Sequence, residues 1–375
     1  MDNLEVSRQK IIRRILWGGI AVVMILPLVR SVNWEQGILK EWACRVEELS
    51  KGTFALFPTA QVYFDSGVRD NALNSNLFFS FSALLLRLTG SLFASYRVTM
   101  GLIQVATMVF AKLFFDACFG KKEPWAAFFG AFLYVTCPYR WFMAYHQGDL
   151  SMTLGWALLP LYAWAVLRLS SAEKGKWFYV LAGAAALAGI GYAHFVLFGT
   201  AAAFTCLWAI CRKKPMALFS VAGGSVLFLP GLHQLGRLAF SNIYDVWDLV
   251  GCSIMPKGYR LGDYFNVYAF REGHPGMGLG LMIGLGAMLW LRFVEGRKAE
   301  KDVLRFFPWV AALLCVLSFR AFPWEWVQRM GAPFLRLVGA IGTPATFWGV
   351  ACGCLCVPAG RALGMLLDGL DGKKA

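Results

Sequence analysis

Charged side chains are scarce in this chain of 375 residues, because only 15% of the residues are Asp, Glu, Lys or Arg. Hydrophobic residues make up 58% of the chain, and the mean hydropathy is +0.56. A protein surface in contact with water needs more polar and charged groups than this composition supplies. The scarcity of charge therefore excludes a soluble fold.

The motifs of soluble cofactor enzymes are also lacking. The sequence has no Walker lysine loop, no HExxH, no GxSxG and no dinucleotide-binding glycine pattern in a strand-to-helix context. Carboxylates inside apolar runs are few, which disfavours a proton-driven transporter. Most of the ten cysteines lie in apolar runs and predict packing rather than disulfides. Cys352, Cys354 and Cys356 alternate, and that spacing turns successive side chains by about 200° on a helix, so they do not converge on a metal.

Long uninterrupted apolar runs are what the sequence has in abundance, for example WFYVLAGAAALAGIGYA. Lipid offers no partners to backbone N–H and C=O groups, so a crossing segment must form a helix of roughly 20 residues. A membrane barrel would instead show short segments that alternate apolar and polar residues. We therefore predict an all-α polytopic transmembrane bundle that forms one integral membrane domain over 1–375.

About ten spans are predicted from the apolar runs. The first starts with a basic flank and has no small-residue cleavage site after it, so it is predicted to stay uncleaved. The predicted spans are 15–29, 97–118, 125–143, 153–169, 177–193, 196–211, 216–232, 275–293, 305–320 and 338–357.

The basic residues set the predicted orientation. If each segment crosses once, the Lys and Arg clusters fall in alternate loops on the side of the N-terminus, which the positive-inside rule places in the cytoplasm. Both termini are then cytoplasmic in a multi-pass plasma-membrane protein, and the two large outer loops are 30–96 and 233–274. The net charge of +14 is assigned to contact with anionic lipid headgroups and not to nucleic-acid binding.

The apolar stretch 77–93 does not fit a simple crossing, because counting it as a span would invert every later loop. Arg87 in its middle and Gly90 near its end favour a re-entrant or interfacial segment. The alternative is an eleven-span protein in which this stretch crosses the membrane.

The first outer loop carries the leading catalytic candidates. Asp65, Arg69 and Asp70 lie close together in YFDSGVRDNALNSN. A carboxylate there could act as a general base towards an acceptor hydroxyl, and Arg69 could bind a phosphate. The alternative is a solvated loop of turn-forming residues.

A second candidate is the segment CPYRWFMAYHQGDLSM, in which Pro138 is predicted to end or kink a helix. Tyr139, His146 and Asp149 are candidates for substrate binding, and Asp149 is also a candidate ligand for a divalent cation. Asp149 is equally well placed to cap the next helix, so structural and functional interpretations both stand.

Two further histidines are candidate substrate-binding residues at the predicted outer boundary. His194 lies between two apolar runs in GYAHFVLFG, and His233 lies in FLPGLHQLG. Either imidazole could bind a phosphate oxygen or relay a proton. A buried structural histidine is the alternative for each.

The order of YRWFMAYHQGDLS, LLPLYAWAV, the histidine turn, FLPGLHQLG and FPWEW resembles the bacterial YfhO-like and GT-C glycosyltransferases. The resemblance implies a GT-C-like fold and a site in which an outer carboxylate assists sugar transfer from a polyprenyl-phosphate donor. It aligns Gln147 with an arginine and Met152 with a glutamate of the relatives. It also makes Glu35 the match to an aspartate after the first span.

The leading hypothesis is therefore a membrane glycosyltransferase of the cell envelope. Asp65 or Asp70 would act as the base, with Glu35 in reserve, and membrane lipids and a lipid-linked sugar would be its partners. A divalent cation, Mg or Mn, would be the one cofactor. The competing hypothesis is a non-enzymatic membrane protein, either a lipid or polysaccharide export component or an inactive accessory subunit.

Overall fold

The fold is all-helical over the part of the chain that the computed structural model describes. The described residues are 2–29, 37–52, 77–120, 123–171, 175–240, 258–266, 274–293, 302–341 and 344–371. Within these ranges the only β-type pairing is an isolated bridge between Tyr259 and Phe319.

The helices are numbered in chain order. They are α1 (Asp2–Ile25, continued by a 3₁₀ turn Leu26–Val29), α2 (Gly37–Ser50), α3 (Leu77–Thr89), α4 (Leu92–Phe119), α5 (Pro124–Val135), α6 (Pro138–Trp141, continued by a π-helix Phe142–Gln147), α7 (Leu150–Ser171), α8 (Lys176–Ala193), α9 (Phe195–Arg212), α10 (Met216–Leu227), α11 (Leu229–Phe240), α12 (Leu261–Tyr264), α13 (Gly278–Phe293), α14 (Asp302–Ser318), α15 (Trp324–Gln328), α16 (Ala332–Ile341) and α17 (Ala345–Asp371).

Five of the described helices are long and apolar enough to cross a membrane. They are Ile11–Val29, Leu92–Phe119, Leu150–Ser171, Phe195–Arg212 and Ala345–Asp368. Each overlaps a predicted span, which confirms the prediction of an apolar helical membrane protein. The count of about ten spans is not confirmed.

The other predicted spans are shorter or interrupted helices. The stretch 125–143 is divided between α5 and α6, and 275–293 and 305–320 contain apolar helices shorter than a full span. The stretch 216–232 is divided between α10 and α11, which meet at a bend of 67° and would together make a sixth span. Helix α8 has 18 residues but is not among the five candidate spans.

The segment 77–93 contains the short helix α3 and a break before α4. Its 13 residues fall short of the roughly 20 that a crossing needs. Gly90, with φ +63°, ends the helix in a conformation that favours glycine. Arg87 donates from Nε to the carbonyl of Ser50 at 2.6 Å, so its charge stabilises the C-terminus of α2.

Contacts between distant segments bring several of the basic clusters together. The guanidinium of Arg13 lies 5.7 Å from the ring centre of Trp125, near the start of α5. Arg361 of α17 forms an ion pair with Glu123 at 3.2 Å beside the same helix start. Arg13 in the N-terminal flank of the first span, Glu123 at the start of α5 and Arg361 therefore lie at one end of the bundle. Which side of a membrane that end faces remains a prediction.

Glycines allow α17 to pack closely against its neighbours. Gly360 and Gly364 form a G-x-x-x-G pair, and a Cβ at Gly364 would lie 2.5 Å from the backbone nitrogen of Ala126. A Cβ at Gly360 would overlap the backbone of Gly130. Lipid gives helices no hydrophobic reason to associate, so this close backbone approach supplies packing contacts that hold α5 and α17 together.

A tyrosine replaces a backbone hydrogen bond that α7 cannot make. Pro160 has no N–H and leaves the carbonyl of Trp156, four residues earlier, without its helical donor. The hydroxyl of Tyr134 in α5 donates to that carbonyl at 2.6 Å, and both residues are buried. A neighbouring helix thereby supplies the hydrogen bond that the Trp156 carbonyl lacks within α7.

We expect Gly360→Ala to destabilise the protein by about 1–3 kcal/mol, because the new methyl group meets backbone atoms that cannot move aside. Thermal unfolding in detergent measures the effect. Gly286→Ala is the matched control, since a Cβ at Gly286 meets nothing within 4 Å. Equal melting temperatures for the two variants would contradict the close packing of α5 on α17.

The role of Tyr134 is tested by a double-mutant cycle with Pro160. Tyr134→Phe leaves the buried Trp156 carbonyl without a donor and should cost about 1–3 kcal/mol. In Pro160→Ala the backbone supplies the missing N–H, so the same Tyr134→Phe change should cost less. An equal loss of stability in both backgrounds would mean that the hydroxyl does not replace the helical bond.

Candidate functional site

Four of the predicted site residues lie outside the described residues. They are Glu35, Asp65, Arg69 and Asp70. Their assignment as base and phosphate ligand remains a prediction. The other predicted residues are placed, and most of them belong to the segment 138–149.

The segment 138–149 has a helix break near each end, at Pro138 and at Gly148, and the break at Pro138 is the one that the sequence predicts. Pro138 disfavours a helical conformation at the residue before it, and Cys137 is extended, with φ −54° and ψ 125°. A short α-helix then widens into the π-helix Phe142–Gln147. Gly148, with φ +70°, ends that turn in a left-handed conformation. π-helical turns are rare and occur often at functional sites.

Asp149 caps α7, which is the structural alternative of the sequence analysis. Its Oδ1 accepts a hydrogen bond from the backbone N–H of Met152 at 2.9 Å. Its own N–H donates to the carbonyl of Met143 at 2.9 Å and so joins the cap to the π-helix. Burial raises the pKa of the Asp149 carboxyl, and the hydrogen bonds from the N–H groups of Met152 and Ser151 oppose that rise.

His146 is the exposed imidazole of this segment. Its ring stacks on Phe142 with centroids 4.8 Å apart and planes 15° from parallel. Gln147 is half-buried and follows it at the end of the turn. Tyr139, in contrast, is fully buried and packs against Trp156 at 5.9 Å. Of the predicted binding residues in the segment, His146 is therefore the one open to a ligand and Tyr139 belongs to the core.

Arg140 is fully buried beside the π-helix. Its Nε donates to the carbonyl of Val135 at 3.0 Å, and its NH1 donates to Oε1 of Gln104 at 2.5 Å. Its NH2 lies 3.3 Å from the sulfur of Met24. No carboxylate forms an ion pair with it among the described residues. The charge is held instead by neutral acceptors on three separate segments of the chain.

The sequence analysis missed Arg140 and Gln104. An ionisable residue within apolar surroundings of a membrane protein is a functional candidate by default. The available signal was the arginine in CPYRW, which stands between aromatic residues at a helix break. Tyr145, one residue before His146, donates to the Met24 carbonyl. Arg140 and Tyr145 together fix the π-helical turn to the first span.

The two remaining predicted histidines do not join one site. His194 separates α8 from α9 in an extended conformation, and its Nδ1 is buried without a hydrogen-bond partner. It lies near Gly155 in the second turn of α7, so it is close to the helix that Asp149 caps. His233 is exposed on α11.

The described residues do not form the predicted cation site. No group of three or more His, Cys, Asp or Glu side chains able to hold a metal occurs in the part of the chain that the structure describes. Asp149 offers one carboxylate, and an oxygen of that carboxylate already accepts the cap hydrogen bond. Mg²⁺ and Mn²⁺ need several oxygen ligands, which this position alone does not supply.

Comparison with known proteins does not assign this arrangement to a family. No family model matches the chain, and no curated protein or solved structure is significantly similar to it.

The burial of His194 predicts a loss of stability in acid. Burial lowers the pKa of His194 from 6.5 to about 4, so the folded state disfavours the imidazolium that the unfolded chain forms. Stability should be complete above pH 6.5 and fall as the pH drops towards 4. His194→Gln should flatten this part of the curve, measured as melting temperature against pH, and the exposed-site control His233→Gln should not. An acid slope that is unchanged in His194→Gln would contradict the assignment.

Proposed function

We propose that this chain is a membrane-embedded glycosyltransferase of GT-C-like type that transfers a sugar from a polyprenyl-phosphate donor to an acceptor hydroxyl. The observation that carries the proposal is the π-helical turn Phe142–Gln147. It is fixed by a buried arginine on one side and a buried capping aspartate on the other, and it presents an exposed imidazole at its end. A rare backbone form with such support is typical of a functional element.

The roles follow from the surroundings of each group. His146 is exposed and its imidazole N–H can donate to a phosphate oxygen, so it is assigned to the phosphate of the lipid-linked donor. Asp149 is a positioning residue, because its cap hydrogen bond and its N–H bond to Met143 fix the end of the turn. Removal of the acceptor proton is assigned to Asp65 or Asp70, as the sequence analysis expects. No step is assigned to a metal ion.

The transfer breaks the bond between the sugar and the phosphate oxygen and forms a bond to the acceptor oxygen. The acceptor proton goes to the base, and the polyprenyl phosphate leaves with the negative charge. A hydrogen bond from the His146 imidazole at the end of the turn stabilises the departing phosphate.

A non-enzymatic role is the second candidate, and one observation favours it. The one predicted carboxylate among the described site residues, Asp149, caps a helix, so this carboxylate already has a structural role. A lipid or polysaccharide export component, or an inactive accessory subunit, would keep this fold without a catalytic base.

Sugar transfer by the purified protein in lipid nanodiscs tests the proposal. The variants His146→Ala, Asp65→Asn and Asp70→Asn are compared with wild type on a panel of polyprenyl-phosphate sugars. We expect His146→Ala to lower the transfer rate roughly tenfold or more. Arg329→Ala is the control, because its side chain is 77% exposed on a different segment. No transfer with any donor, or equal rates for His146→Ala and Arg329→Ala, would overturn the proposal.

Asp149 gives a second test of the same site. Asn accepts the same cap hydrogen bond without the charge, so Asp149→Asn should keep most of the activity, whereas Asp149→Ala loses the cap and should reduce it. If Asn and Ala reduce the rate equally with unchanged melting temperature, Asp149 acts through its charge and its positioning role is wrong.

A further inference from the structure

An apolar cavity of about 150 Å³ opens between helices of the bundle. Its walls come from α4, α5, α7, α9, α14 and α17, and its residues are mostly aromatic or aliphatic. The side chains that matter here are Phe114, Ala163, Leu167, Ala201, Trp208 and Phe306.

The hydroxyl groups on these walls are hydrogen-bonded within the protein, and the buried indole N–H of Trp156 is the one wall group without a partner among the described residues. The hydroxyl of Tyr162 donates to Oγ1 of Thr205 at 2.8 Å, and Thr205 donates to the carbonyl of Ala201 at 2.9 Å. Thr200 donates to the carbonyl of Val196 at 2.7 Å. The cavity therefore offers a ligand hydrocarbon contact with few hydrogen bonds, which suits an alkyl chain and does not suit a sugar.

A second, smaller pocket of about 90 Å³ adjoins the apolar cavity. The indole of Trp208, which is 6% exposed, lines both. The second pocket lies where α7 ends, α8 begins and α9 is connected to α10, and we call it the lysine pocket. Its charged side chains are those of Lys176 and Lys214.

The lysine pocket is electropositive. None of the described residues that line it is acidic, and Lys214 has a neutral contact, the Ser170 carbonyl, 3.4 Å from Nζ. Lys176 is exposed as the first residue of α8, and Met216 in the same pocket is the first residue of α10. The N-termini of two helices add their partial positive charge to that of the two lysines. An anionic group is the complementary ligand.

We propose that the two pockets form one binding site for an anionic glycerophospholipid of the surrounding bilayer. Its headgroup phosphate binds Lys176 and Lys214, and part of one acyl chain enters the apolar cavity past Trp208. The cavity is partly open, so a chain enters it sideways from the membrane and only part of its length has to fit. This adjacency of a basic pocket and an apolar cavity is what an amphiphile requires.

The site is independent of the proposed sugar transfer. The lysine pocket lies where α7 ends and α8 and α10 begin, whereas the segment 138–149 precedes the opposite end of α7. The basic clusters near these helix ends are predicted to face the cytoplasmic leaflet, where anionic phospholipids attract Lys and Arg side chains.

Native mass spectrometry of delipidated, full-length protein measures the binding. After incubation with phosphatidylglycerol, wild type should retain one lipid, and phosphatidylcholine with the same chains should be retained about tenfold less. The double variant Lys176→Gln/Lys214→Gln should lose the preference. Lys213→Gln is the matched control, because it removes the same charge from the neighbouring residue, which does not line the pocket.

The apolar half of the site is tested by filling the cavity. Ala163→Phe and, separately, Ala201→Leu should reduce lipid retention about tenfold while glycerol phosphate binds no more weakly than to wild type. Two variants guard against one that fails to fold. Equal losses in Lys213→Gln and the double lysine variant would overturn the proposal. So would unchanged retention in both filled variants, or displacement of phosphatidylglycerol by an equal amount of a polyprenyl phosphate.

Discussion

A buried positive charge constrains this bundle more than any other interaction. Arg140 is fully buried and, among the described residues, has no carboxylate to neutralise it, so its guanidinium must be surrounded by acceptors held at fixed distances. Gln104 in α4, the sulfur of Met24 in α1 and the carbonyl of Val135 in α5 supply them. If any of these segments moved away, a donor or acceptor would be left unsatisfied in an apolar interior at a cost of several kcal/mol. The relative positions of the first span, α4 and the π-helical turn are set in this way.

The sequence predicts the long helices well because their signal is local. A run of about 20 apolar residues is sufficient evidence for a span, and the runs at 15–29, 97–118 and 153–169 correspond to described helices. Breaks are harder to locate. Pro138 correctly marks one. Pro230, two residues after Phe228, marks the bend between α10 and α11, which the predicted span 216–232 passes over.

The candidate site was predictable only in part, for a similar reason. The Asp149 cap follows from residue type and position alone. The partners of Arg140 lie 36 and 116 residues away along the chain, and no pattern within one segment indicates them. The proximity of Lys176 to Lys214 and Trp208 likewise depends on helix ends from separate parts of the chain meeting at one end of the bundle. The apolar composition predicts the helices. Which polar side chains lie together depends on contacts between segments that are distant in the sequence.

Helix α17 packs on three helices that are synthesised before it. It covers the glycine face of α5 and also packs on α13 and α14, so these three earlier helices each await a partner that leaves the ribosome after them. Until it arrives, the small residues Gly130 and Ala126 would contact lipid instead of another backbone. The packing of α5, α13 and α14 is therefore expected to be completed only once α17 has been synthesised, in a step that a chaperone of the membrane or a protease could act upon.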